Sequence, residues 1–261
     1  MMSVIVEAGD SPVILGQPHG GTFVPPELLL RLNQHGKGLG DTDWHITRLY
    51  DGLLPGATTV KAEFHRYVID ANRDPGGNSL YPGQNTTSLC PTTDFDGEAI
   101  WIDGQQPSGD EIEERRQKYH APYHEALATE IERVKAIHGY AILYDCHSIR
   151  SNIPFLFENT LPVFNIGTND GKTCSGEIEK TVIDVCANAI GLKHVVNGRF
   201  KGGWTTRHYG QPEQSVHAIQ MELAQRAYMD EQTPWGYRAD LAENLRPHLS
   251  DMLSRLSALK L

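Results

Sequence analysis

His19, His147 and Glu222 each close an apolar run, and between them they carry the chemistry open to this chain. His19 follows Val13 to Leu15, His147 follows Tyr140 to Tyr144, and Glu222 lies near the end of Val216 to Leu223. Asp43 lies downstream of His19, and Asp145 stands two residues before His147. Two imidazoles and one carboxylate are a usual catalytic zinc set, with one position left for water. A cation there lowers the pKa of water toward neutrality, and a second carboxylate can take the proton. Asp145 could serve behind one imidazole, holding its other nitrogen. Singly, each histidine is more often structural. The candidates gain weight because they end separate strands of one expected sheet, where ligands of open α/β sheets bind.

The elements that must position them follow from periodicity and punctuation. Val4 to Val6 and Val13 to Leu15 read as strands, with a hairpin around Gly9-Asp10 as one way to join them. The second runs into Gly16-Gln17-Pro18-His19-Gly20-Gly21, where the glycines allow close backbone approach and positive φ. Pro25 to Leu30 reads as a short helix opened by proline. Ile46, Leu49, Tyr50 and Leu53 recur at helical spacing, with Asp41 or Thr42 as N-cap, and Asp43 in the first turn is equally explained by the helix dipole. Thr58 to Ala62 and Tyr67 to Asp70 read as strands, the latter ending in Asn72, Arg73 and Asp74. Residues 76–109, rich in Gly, Pro, Thr and Asp, form a long loop of the kind that often binds or covers ligands.

A helical pattern then spans Asp110 to Ile137, kinked or divided at Pro122. His120 and His124 have the spacing of a helical metal pair, but no HExxH pattern accompanies them, and a packed crossover helix explains them better. Strands follow at Pro162 to Gly167 and Lys193 to Val196, with a helix over Gly176 to Ala189 between them. Gly198 to Gly210 concentrates Arg, Lys, Trp, His and Tyr without apolar periodicity and reads as a recognition loop. Helix closes the chain from Pro234 to Leu256.

Composition narrows the classes. The 261 residues carry a formal charge of −10, with 39% hydrophobic and 21% charged residues. That balance disfavours nucleic acid and anionic membrane as partners, since both need a basic footprint. No apolar run approaches the roughly 20 residues of a membrane helix. The amino terminus lacks the pattern of a signal peptide. Cys90, Cys146, Cys174 and Cys186 show no CxxC spacing and read as reduced, buried thiols of a cytoplasmic protein. No GxSxG elbow surrounds Ser148, and no cysteine sits in a nucleophile context. Paired carboxylates for glycoside hydrolysis stay open, because their separation is invisible in sequence.

Six motifs in order give a sharper reading. They are Pro18-His19-Gly20-Gly21, Asp41-Thr42-Asp43, Tyr67 to Asp74, Asp145-Cys146-His147-Ser148, Gly202 to Gly210 and Gln220-Met221-Glu222-Leu223. Together, over nearly the whole chain, they resemble the N-formylglutamate amidohydrolases, a family related in fold to the zinc carboxypeptidases, aspartoacylases and succinylglutamate desuccinylases. The resemblance implies an α/β fold of the phosphorylase/hydrolase-like kind, a three-layer α/β/α arrangement around a mixed central sheet. It implies one domain over 1–261 with a loop insertion at about 76–109. It also implies hydrolysis of N-formyl-L-glutamate to formate and L-glutamate, the last step of a histidine degradation route, with Zn2+ or another divalent metal.

On this resemblance His19 and His147 match the metal histidines, and Asp43 matches the acidic ligand. Asp41 is the competing choice, because the HxxE spacing of the carboxypeptidases is missing and Thr22 and Phe23 stand where that Glu would be. Glu222 matches the carboxylate that activates water. Arg73, Arg150 and Arg207 are candidates for the two carboxylates of a small dianionic substrate, which an acidic chain must hold in a local cationic pocket. Two alternatives stand beside this: a related hydrolase of another N-acyl amino acid, and a non-catalytic relative that binds a dicarboxylate.

Overall fold

The computed structural model describes residues 3–80 and 83–261. Its strands are β1 (Val4–Glu7), β2 (Val13–Gln17), β3 (Thr58–Ala62), β4 (Ala141–Ile149), β5 (Phe164–Gly167), β6 (His194–Val196) and β7 (Val216–Ala224). They form one seven-stranded sheet in the order β1-β3-β2-β4-β7-β5-β6. β1 pairs antiparallel with β3, and β5 antiparallel with β7; the other pairings are parallel. The helices are α1 (Pro26–Leu29), α2 (Ile46–Tyr50), α3 (Gly109–Arg115), α4 (Ala121–His138), α5 (Gly176–Asn188), α6 (Trp204–Tyr209) and α7 (Ala239–Ser257). None is long and apolar enough to cross a membrane.

β4 and β7 are buried along their whole length, as parallel strands covered on both faces must be. Alternation along them divides the core in two. Ile142, Tyr144 and Cys146 of β4, with Ile219, Met221 and Leu223 of β7, pack beneath α2, α5 and α7. Ala141 and Leu143, with Val216 and Ala218, pack beneath Tyr123, Leu127, Ile131 and Val134 of α4. This is the expected α/β/α arrangement around a mixed sheet.

The same alternation sets the site. Continuing the α4 face of β4 past Leu143 gives Asp145 and then His147. Continuing that face of β7 past Ala218 gives Gln220 and then Glu222. The face is therefore apolar over the first half of both strands and polar over the second, and the polar halves lie side by side, because Asp145 pairs with Gln220 and His147 with Glu222.

Several local expectations give way to long-range pairing. β1 and β2 form no hairpin, because β3 lies between them. Tyr67 to Asp70 is a buried turn rather than a strand. Asp41 and Thr42 do not cap α2; His45 occupies that position with φ 61° and no side-chain cap. The helical pattern over Asp110 to Ile137 is divided close to Pro122, as expected: a π-helical turn over Arg116–His120 links α3 to α4, and Pro122 stands in the first turn of α4. Gly198 to Gly210 contains the helix α6 and is not wholly a loop. The described part of 76–109 holds no strand of the sheet, and the only helical residue in it is Gly109, which opens α3. Isolated bridges Leu32–Trp101 and Thr93–Ala99 anchor it, with Phe95, Ile100 and Trp101 buried.

Close approach, not positive φ, explains Gly21. A Cβ there would lie 2.4 Å from the Glu63 carbonyl, where the segment after His19 runs against the end of β3. Gly21→Ala must push these segments apart. We expect a loss of about 1–3 kcal/mol in urea unfolding, with the slope against denaturant unchanged.

Candidate metal centre

His19, Asp43 and His147 come from three separate segments and converge with one ligand atom each. His19 Nδ1 lies 3.2 Å from His147 Nδ1 and 3.9 Å from Asp43 Oδ2, and His147 Nδ1 lies 3.3 Å from that same oxygen. Ligands on a tetrahedral zinc stand roughly 3.3–3.4 Å apart, given bonds of about 2.0–2.1 Å. All three residues are buried.

The far side of each ring is held as well. His19 Nε2–H donates to Asp70 Oδ1 at 2.7 Å, which leaves Nδ1 as a bare lone pair facing the group. His147 Nε2 lies 3.0 Å from Asn72 Nδ2 and 3.1 Å from Asp145 Oδ1. Asp145 Oδ1 is buried and otherwise unpartnered, while Thr206 of α6 donates to its other oxygen. Two imidazole nitrogens and a carboxylate oxygen are a donor set that fits a metal ion.

Asp43 is placed by its neighbours. Its backbone N–H donates to the His19 carbonyl. Arg66 Nη2 donates to Oδ1 at 2.7 Å, and the Ser148 backbone N–H donates to Oδ2 at 3.0 Å. Burial pushes the Asp43 carboxyl up, but Arg66, His147 and His19 outweigh it and hold it below the usual range. Burial, and then Arg66, hold His19 down at about 4, so its ring is neutral. Burial also pushes His147 down, yet Asp145, Asp43 and Glu222 hold it well above its usual value.

His19 and His147 line a cavity together with Arg66, Arg73, Arg199 and Gln220. Glu222 faces the cavity beside His147, and Gln220 Nε2 donates to its Oε2 at 3.2 Å. Burial pushes Glu222 up to about 8. A cation nearby would favour its carboxylate form.

Among the candidates read from sequence, His19, Asp43, His147 and Glu222 are thus brought together. Arg73 lines the cavity and donates to Thr87 O and Oγ1, each at 3.0 Å. Arg150 turns away, donating to Asp96 at 2.7 Å, and Arg207 donates to the carbonyls of Gly202 and Leu80; neither lines the cavity. Asp41 accepts from the Phe95 backbone N–H and lies outside the metal group. His120 and His124 hold the carbonyls of Arg73 and Ala71, buttressing the turn that carries Asn72.

Sequence reasoning passes over Arg66, which bridges Asp43 and, at 3.6 Å, Asp70. The acid four residues after it is the available signal. Asn72 reads in sequence only as one polar residue of a cluster, although its Oδ1 also accepts from Thr205 N–H and so caps α6. We expect Asp43→Asn to lose stoichiometric metal on dialysis while Asp41→Asn retains it, as read by atomic absorption. The reverse result would make Asp41 the ligand.

Comparison with known proteins adds the lineage. A model of the N-formylglutamate amidohydrolase family matches residues 11–229. The N-formylglutamate deformylase of Pseudomonas aeruginosa is 48% identical over 251 residues, covering 96% of this chain and 94% of that protein. The N-formylglutamate deformylase of Pseudomonas putida is 44% identical over 251 residues, with the same coverage. In structure, an N-formylglutamate amidohydrolase from Ralstonia eutropha superposes with a TM-score of 0.81 at 24% identity, covering 98% of this chain and 97% of that one. A gene product of Agrobacterium tumefaciens gives 0.73 at 19% identity, covering 97% and 96%. These last two speak to the fold alone. With the family model spanning most of its length and two relatives near half identity along almost all of it, the chain belongs to the N-formylglutamate amidohydrolase family.

Proposed function

We propose that this protein hydrolyses N-formyl-L-glutamate to formate and L-glutamate, using zinc or another divalent cation held by His19, Asp43 and His147. The observation that carries the reading is the pairing of His147 with Glu222 across the parallel strands β4 and β7. It sets a buried carboxylate beside the metal group inside a cavity lined with arginines. The deformylase names of the two Pseudomonas relatives point the same way. The wider setting, a closing step of histidine degradation in the cytoplasm, rests on the family resemblance. Four buried cysteines without disulfides are consistent with that compartment.

A cation in the site would supply Lewis acidity toward the formyl oxygen and toward water. The chain supplies the rest. Glu222 takes the proton of the attacking water and returns it to the leaving amine, so its carboxylate must be free when substrate arrives. Arg66 lines the cavity and is fixed by Asp43 and Asp70, and its Nε–H has no partner among the described residues. It is the donor available to an oxygen that gains negative charge. Arg73 offers a guanidinium to a substrate carboxylate.

Formate release from N-formyl-L-glutamate tests the reaction. Activity should vanish on chelation and return with zinc, and N-acetyl and N-succinyl glutamate should be poor substrates. Preference for either of these would reassign the acyl group. Glu222→Gln should keep its metal while turnover falls roughly 10²- to 10⁴-fold; near-normal turnover in that variant would remove Glu222 from the mechanism.

A further inference from the structure

Three guanidinium groups line the cavity, those of Arg66, Arg73 and Arg199. Glu222 is the one acidic side chain lining it among the described residues. Arg66 is committed to Asp43 and Asp70. Arg73 Nη1 lies 3.8 Å from Asp70 Oδ2, and Asp70 holds the His19 ring, so Arg73 belongs to the end of the cavity nearest the metal group. Arg199 reaches the cavity from the segment after β6, and the reaction outlined above leaves it without a role.

The surroundings of Arg199 suit a ligand site. Its Nε donates to the Leu156 carbonyl at 2.9 Å and its Nη2 to the Asn85 carbonyl at 2.8 Å. These two acceptors fix the orientation of the guanidinium. Phe200 lies 5.5 Å beneath it and also lines the cavity. A charged group held this way, partly out of water, discriminates strongly between a carboxylate and a neutral isostere.

The substrate sets the assignment. Its α-carboxylate sits on the carbon that bears the scissile nitrogen and so stays close to the metal group. Its side-chain carboxylate lies two carbons further out. We infer that Arg199 binds the side-chain carboxylate and selects dicarboxylates, while Arg73 takes the α-carboxylate. Neither Arg150 nor Arg207 lines this cavity. The inference rests on the proposed function for the substrate's identity, but its test does not need turnover.

The test titrates metal-loaded protein with glutarate, a dicarboxylate without a scissile bond, and with glutaramate, its isostere with one neutral end. Arg199→Met should weaken glutarate binding on the order of 30-fold and glutaramate binding less than about threefold. Arg199→Lys, which keeps the charge, should recover part of the lost glutarate affinity. Unchanged glutarate binding, equal weakening of both probes, or a lysine variant no better than methionine would each overturn the assignment. In kinetics, Arg199→Met should lower kcat/KM for N-formyl-L-glutamate, mainly through KM, and leave that for N-formyl-L-glutamine nearly unchanged. If the wild type binds glutarate through Arg199 yet releases no formate, the reaction is wrong and the subsite stands. If it releases formate and Arg199→Met loses nothing on glutarate, the subsite is wrong and the reaction stands.

Discussion

A guanidinium with almost no access to water lies at the centre of this site. Removing such a charge from solvent costs several kcal/mol unless it is well paired. Arg66 is paired twice, with Asp43 and with Asp70. Each of those acids also serves the metal group. Asp43 turns its other oxygen to the two imidazoles, and Asp70 holds the back of His19. One buried guanidinium therefore fixes the carboxylate and orients a histidine of the candidate metal group together.

Legibility in the sequence follows the range of the interactions involved. β4 and β7 are readable because burial on both faces makes them mostly apolar, and the polar residues toward their ends mark the site. His19, His147 and Glu222 stand at such ends. Strand order is not readable: the separation of β1 from β2 by β3 is a pairing choice that no local pattern records. The helix α6 escapes a sequence reading for a similar reason. Its first turn is capped by Asn72, from far upstream in the chain, and its own residues show little apolar periodicity. Arg66 escapes because a charged residue ahead of an apolar stretch looks like ordinary surface, and only the fold buries it. The choice between Asp43 and Asp41 likewise needs three dimensions, since the two differ only in which way a turn points them.

Asn72 shows how tightly the site is tied together. Its backbone N–H donates to Asp70, its amide meets His147, and its Oδ1 caps α6. Helix α6 in turn returns Thr206 to Asp145, the partner of His147. A Cβ on Gly203 would strike the Asn72 side chain at 2.2 Å, so the start of α6 fits there only as glycine. The turn at 70–73, the ring of His147 and α6 behave as one body, and substitutions among them should not add independently.

The place of β7 in the sheet bears on how the molecule is made. It is the last strand in sequence, yet it lies between β4 and β5, and β5 and β6 reach the rest of the sheet only through it. A nascent chain that has not yet reached Val216 can assemble the ladder from β1 to β4 on one side and β5 with β6 on the other. Both then present unpaired edges, the kind that invite association with other chains. Inserting β7 closes both edges at once and carries Glu222 to His147 in the same event. The sheet and the pairing of His147 with Glu222 are therefore completed by one and the same strand, so the site cannot form before the sheet closes.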